Sequence, residues 1–289
     1  MDKLKTIPAL WLLIVILLVC DAAGLLVQGM SVAPKVLLST FIASACTGVL
    51  AWFYTRIRPV VRIATLAETT SAVLIFMAAG AVLSYLGVTL RQPLIDSYLV
   101  GVDHAIGFDW PAMHNWVVSR PQLYFILKLA YASSVPQMVV LLLVLNFRGD
   151  IARNWEFLWL LVISGLTSTL ISVLWPAMGA YGYFHIEAEQ PYVQAFMALR
   201  EGTIKVIGQS KIQGVVQFPS FHLALAIIYT YAARGIRFLF PLFVVLNILV
   251  IGATPVAGGH HLADLLAGTA LTVATILFVR HFRLGQKRT

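Results

Sequence analysis

Eight stretches of this 289-residue chain read as membrane crossings, and that pattern limits the fold more than any other feature. A helical crossing needs ~20 mostly apolar residues. The candidates are 7–27, 36–54, 71–90, 124–145, 157–174, 221–233, 238–257 and 261–279. The sixth is short unless its polar ends also enter the interface. The chain is 60% hydrophobic and only 11% charged, against about 25% charged in an ordinary soluble domain. A soluble fold of this length has no interior large enough for so much apolar surface. The expectation is an all-α, polytopic integral membrane bundle of about eight transmembrane helices. The run that begins near Ile7 exceeds a signal peptide's apolar core and shows no cleavage site, so it reads as a retained anchor. Cys20 and Cys46 both fall in apolar stretches, which points to neither a disulfide framework nor a metal spacing.

With 20 Lys and Arg against 12 Asp and Glu, the chain is formally +8. An eight-pass topology puts thirteen of those bases on the side of the termini: Lys3, Lys5, Arg56, Arg58, Arg62, Arg148, Arg153, Arg234, Arg237, Arg280, Arg283, Lys287 and Arg288. Asp96, Asp103, Asp109, Glu187, Glu189 and Glu201 fall on the other side. Basic loops mark the cytoplasmic face, so both termini are expected there. Most of the excess charge is thereby an orientation signal rather than a nucleic-acid patch. With no long soluble domain and a short basic tail, the default location is a bacterial inner membrane. Two long segments then lie outside. Residues 91–121 read as interfacial helix and loop. Residues 180–218 carry aromatics, acids and the run Leu199-Arg200-Glu201-Gly202, and loops of this length are usually functional. The Trp and Tyr residues of both segments fit an aromatic belt.

Two polar motifs open consecutive outer-side helices. In Phe218-Pro219-Ser220-Phe221-His222, Pro219 and Ser220 are helix-start residues. A helix N-terminus suits an anion such as phosphate, and His222 falls in its first turn. In Gly258-Gly259-His260-His261-Leu262-Ala263-Asp264, His260 and Asp264 are four apart and share one helix face. Asp264 can orient one ring nitrogen of His260 and leave the other nucleophilic; His261, three residues from Asp264, competes for that place. A carboxylate near the lipid core is costly and tends to be functional. Two histidines on one side, one backed by an acid, suit phosphoryl transfer without a metal. The spread charge of the phosphoryl group then calls for donors: Arg200 first, Lys205 and Lys211 behind it, with Ser220 and Gly259 at the helix starts. His104, His114 and His185 read as interfacial or loop residues.

The pair FPSFH and GGHHLADLLAG resembles the type 2 phosphatidic acid phosphatase superfamily. The nearer likeness is the branch around inositol-phosphorylceramide and sphingomyelin synthases, with Phe221 and His261 at its two variable places. The motif likeness covers about residues 198–268. It implies His260 as nucleophile, Asp264 as its partner and His222 as general acid. It also implies a covalent phosphohistidine, a lipid phosphoester substrate and no cofactor or divalent metal. The phosphatase members carry Lys-x6-Arg-Pro; here the pairs are Arg58-Pro59 and Arg120-Pro121, with Ala51 and Met113 in the lysine place. Their Ser-Arg ahead of the second histidine is Ala253-Thr254 here. These departures favour the synthase-like branch, with Arg200 supplying the missing charge.

The domain expectation is one membrane unit, 1–289, with N-terminal spans in 1–90, an outer interfacial segment in 91–121 and a catalytic bundle in 122–289 carrying motifs at 218–222 and 258–264. The functional expectation is a lipid phosphoesterase or head-group phosphotransferase. Its partners are the bilayer and a phosphorylated lipid, with no nucleic acid, and a homo-oligomer is compatible with the sequence. Hydrolysis and transfer share the phosphohistidine and differ only in whether water or an alcohol attacks it. The alternative is a transporter or ion-binding protein using intramembrane Asp and His, Asp21 among them. It predicts broken spans in two related halves, and Gly258-Gly259 has no evident counterpart. A zinc site of His222, His260, His261 and Asp264 is chemically permitted but lacks the His-Glu-x-x-His spacing.

Overall fold

A computed structural model describes residues 3–186, 190–209, 212 and 214–285. Lys211, Glu187, Glu189, Lys287 and Arg288 lie outside the described residues. The bundle is all-α. Its helices are α1 (Lys3–Gln28), α2 (Pro34–Arg56), α3 (Val61–Thr89), α4 (Asp96–Ala105), α5 (Trp110–Val118), α6 (Pro121–Ala132), α7 (Ser134–Phe147), α8 (Ile151–Leu174), α9 (Ala180–Tyr183), α10 (Pro191–Glu201), α11 (Phe221–Ala233), α12 (Leu239–Ala257) and α13 (Leu262–Gly285). Two short strands, β1 (Ser31–Val32) and β2 (Val206–Ile207), pair in parallel and tie the α1–α2 turn to the second outer segment.

Each of the eight apolar stretches is helical. Among the described residues, six helices, α1, α2, α3, α8, α12 and α13, are long and apolar enough to cross a membrane, and α6 with α7, bent by 42°, meets the same measure as a pair. The bend has a local cause. Pro136 has no N–H to offer the Ala132 carbonyl, and its ring crowds the same turn. The break falls at Ser133, whose hydroxyl donates to the Ala130 carbonyl. The α3 helix starts ten residues earlier than the apolar run suggested, because Thr65 and Thr69 are buried against the bundle and Thr69 returns its hydroxyl proton to the Thr65 carbonyl. The 13-residue α11 stays short. Its Phe221 ring packs on Gly165 of α8, where a methyl group would stand 3.2 Å from both Phe221 and Phe76.

The largest core joins Leu10 and Ile14 of α1, Phe76 of α3, Leu141 and Leu145 of α7, Leu158 and Leu161 of α8, and Ile228 and Tyr229 of α11. Lipid gives apolar side chains no reason to hide, so helix association there rests on close packing. The outer faces accordingly show Leu12, Val19, Phe41, Trp52, Phe125, Ile248 and Leu277, and α2 has no buried residue. Basic residues gather at the end of the bundle where α11 finishes. Arg234 pairs with Glu156 at 2.9 Å, Arg153 donates to the Arg234 carbonyl at 2.7 Å, and Arg62 donates to the Phe147 carbonyl at 3.1 Å. His222 stands at the opposite end of the same helix.

Candidate active site at the start of the short helix

The two motif loops are held together by main-chain contacts. Ser220 caps α11, its hydroxyl accepting from Leu223 N at 3.4 Å, while its own N–H donates to the Asp264 carbonyl at 3.1 Å. Gly268 makes this approach possible: a methyl group there would stand 2.6 Å from the Ser220 carbonyl oxygen. The result brings the rings of His222 and His260 to 6.5 Å between centroids, inclined by 61°. His260 is buried, and its Nδ1 lies 3.2 Å from Asp264 Oδ2. The same oxygen accepts the His261 N–H at 2.9 Å, leaving Asp264 Oδ1 buried without a partner. The contact expected from the four-residue spacing is present, but not as a shared helix face: α13 starts at Leu262, so His260 stands in the turn ahead of it. Nδ1 of His260 is engaged, and Nε2 is the ring atom left for chemistry.

His261 does not compete for Asp264. Its ring turns toward α4, with Nε2 3.4 Å from Asp96 Oδ1 and Nδ1 3.6 Å from Asp103 Oδ2; the second contact is an ion pair rather than a hydrogen bond. All three side chains are buried. Asp96 also accepts from Met178 N at 2.9 Å and Gly179 N at 2.8 Å. Asp103 accepts from Leu262 N at 3.1 Å and Ala263 N at 2.8 Å, which caps α13 from another helix. The first amides of α13 are thus already satisfied by a carboxylate. Burial works against charge on His261, but the carboxylates of Asp103 and Asp96 beside its ring and the field of Asp264 outweigh it and push the imidazole up to about 9.

Tyrosines complete the surround. Tyr131 Oη lies 2.9 Å from His222 Nδ1. A methyl group on Gly258 would stand 2.7 Å from that hydroxyl and 2.8 Å from His260 Cδ2, so the bare face of Gly258 opens onto the space between them. Gly259 has a left-handed backbone, φ +70°, which disfavours a side chain, and a methyl group there would meet Tyr181 and Tyr192 at 2.5 Å. Tyr181 donates to the Val256 carbonyl at 2.6 Å and Trp110 to the Pro255 carbonyl at 3.1 Å. Tyr192 Oη and Gln217 Oε1 are buried with no partner.

These aromatics correct the aromatic-belt expectation. Trp110, Tyr181 and Tyr192 are buried and pack with His114 and Phe184 behind the catalytic loop. The polar tips of Trp110 and Tyr181 find main-chain carbonyls of α12 rather than headgroups. His114, read as interfacial, is buried and stacked on Trp110 at 4.9 Å.

Among the donors expected for phosphate, Ser220 and Gly259 lie at the site. Arg200 is engaged elsewhere: its guanidinium donates to the Gln92 carbonyl at 2.9 Å and to the Arg91 carbonyl at 3.4 Å. Lys205 lines a cavity with Gln28, Thr89 and Arg91 near the β-pair. Tyr131, Tyr192, Asp96 and Asp103 went unrecognised as site residues. Only the two aspartates carried a signal, seven apart in one short helix and therefore on one face. A mainly apolar groove of about 260 Å³ runs from His222 and Phe221 between α3, α7, α8 and α11, past Met77, Met138 and Leu161. Among the described residues, no group of three or more His, Cys, Asp or Glu is disposed to hold a metal ion.

The chain is thus an all-α membrane bundle in which two histidines, one of them carboxylate-backed, meet beside an apolar groove. The family model of the PAP2 superfamily matches residues 97–278, more than half of the chain, and the protein belongs to that superfamily. No curated protein and no solved structure matches it.

Proposed function

We propose that the protein cleaves or transfers the phosphate-containing head group of a lipid through a phosphohistidine on His260, without a metal. The observation that carries this reading is the facing of His222 and His260 at 6.5 Å with Asp264 behind the second ring. His260 Nδ1–H donates to Asp264, and the Nε2 lone pair attacks phosphorus. The bond to the leaving oxygen breaks, and that oxygen takes the proton from Nε2 of the His222 imidazolium. Nδ1–H of His222 meanwhile donates to the Tyr131 hydroxyl, which fixes Nε2 as the atom that exchanges protons. In the second half, neutral His222 takes a proton from water or an alcohol, the new oxygen bonds to phosphorus, and the P–N bond breaks.

The groove leading from His222 supports a lipid, because its lining is mainly apolar and suits hydrocarbon. The absence of the Lys-x6-Arg-Pro and Ser-Arg elements supports a place nearer the synthase-like branch, with a sphingolipid among the substrates to test. The gathering of Arg62, Arg153 and Arg234 at the far end of α11 supports cytoplasmic termini and a site on the outer face of a bacterial inner membrane. The test is a lipid panel with purified protein in detergent, scoring phosphate release and head-group transfer separately. It includes a trap for an acid-labile phosphoenzyme that His260→Ala removes. Turnover by His260→Ala at the wild-type rate would refute the mechanism.

A further inference from the structure

Among the described residues the Tyr192 hydroxyl is a buried donor with no acceptor. The residue is 6% exposed, sits in the first turn of α10 and packs against Trp110, Ala180 and Tyr181. An unsatisfied buried hydroxyl destabilises a fold, and phenylalanine fills the same volume without that cost. The place of this hydroxyl in the fold shows what would satisfy it. It lies against Gly179 and Gly259, where added methyl groups would meet it at 2.8 and 2.5 Å. Gly259 immediately precedes His260, and Gly258 opens onto Tyr131 and the His260 ring. Both neighbouring residues are glycine, so the hydroxyl borders backbone kept bare of side chains. Burial first, then the fields of Tyr131, Tyr181, Asp264 and Asp96, raise the Tyr192 pKa well above the usual phenol value, so it remains a donor. The Arg200 guanidinium is meanwhile occupied by main-chain carbonyls.

We propose that Tyr192 is a substrate-binding residue whose hydroxyl donates to a non-bridging phosphoryl oxygen at His260. This rests on the proposed phosphoryl chemistry of the site and assigns part of the oxyanion stabilisation to a neutral phenol. A phosphoryl oxygen only accepts, and its charge grows as phosphorus becomes five-coordinate. A donor already desolvated and waiting is therefore worth more there than in the ground state.

The experiment measures orthovanadate and inorganic phosphate binding, by thermal shift and calorimetry, to detergent-purified wild type, Tyr192→Phe and Tyr181→Phe. The expected result is a tenfold to hundredfold loss of vanadate affinity in Tyr192→Phe, a smaller loss for phosphate, and an unfolding midpoint unchanged or raised without ligand. Tyr181→Phe, which breaks an existing hydrogen bond, shows the reverse pattern: a lowered midpoint with less effect on vanadate. If Tyr192→Phe binds vanadate like wild type, the Tyr192 assignment falls and the phosphoryl site stands. A lowered ligand-free midpoint in Tyr192→Phe also overturns it, because the hydroxyl then has a structural partner. If wild type binds neither oxyanion, this assignment and the proposed function fall together.

Discussion

Replacing His261 by Gln tests the two-carboxylate clamp behind the catalytic loop. Asp96 and Asp103 of α4 flank the ring at 3.4 and 3.6 Å, and Asp264 of α13 is the third charge acting on it. Tyr183 and Phe184 cover the remaining sides at 6.2 and 6.5 Å between centroids. In the folded protein the imidazole is pushed up to about 9, against 6.5 for an ordinary histidine. At 1.36 kcal/mol per unit, the charged ring contributes about 3 kcal/mol. A raised pKa fixes the sign. The contribution is complete below about pH 6.5 and is lost as pH climbs through about 9. Above that, two buried carboxylates face a neutral ring. Gln cannot carry the charge, so the gap between wild type and variant is largest at pH 6.5 and below and closes toward pH 10. In a chain of this size, about 3 kcal/mol corresponds to roughly 5–10 °C in unfolding midpoint. The assay is thermal unfolding in one detergent across pH 6–10 for both proteins. A gap that stays constant between pH 6.5 and 9.5 would show that the imidazolium does not hold the clamp.

Three further outcomes follow from the site. Asp264→Asn lowers turnover by about 10⁴-fold, the scale on which a histidine loses its orienting carboxylate, while the protein still inserts and folds; steady-state rates on a substrate from the lipid panel check this. His222→Ala slows head-group expulsion by about 10²–10⁴-fold and Tyr131→Phe by about tenfold, both most severely for poor leaving groups, and a leaving-group series reads the difference. Activity survives prolonged treatment with a strong chelator; loss on chelation with recovery by zinc would replace the histidine mechanism by a metal one.

The membrane helices were legible because lipid imposes a single requirement, about twenty apolar residues with their backbone satisfied internally. The bend between α6 and α7 went unread, although Pro136 stands in the sequence as its cause. The pairing of His260 with Asp264 was legible from their spacing, although His260 stands in the turn ahead of α13 rather than on its face. His222 joined them through topology, since two adjacent helices return the chain to the same end. What stayed hidden came from pairings with no fixed spacing. Tyr131 meets His222 across 91 residues, and Asp103 caps α13 across 160. His261 was ambiguous for the same reason. Its local neighbour is Asp264, and only the docking of α4 supplies the two acids that take its ring. The buried Trp110 and Tyr181 were misplaced because composition cannot distinguish an aromatic at the headgroups from one whose polar tip has found a carbonyl.

The shortness of α11 sets the depth at which the chemistry occurs. Phe221 abuts Gly165, and α8 continues for nine residues beyond that glycine to Leu174, a rise of about 13 Å. The first turn of α11 is thus set back from the end of a neighbouring helix, and His222 with it. On the proposed mechanism, how much water reaches this recessed place, more than the identity of the histidines, decides between hydrolysis and transfer.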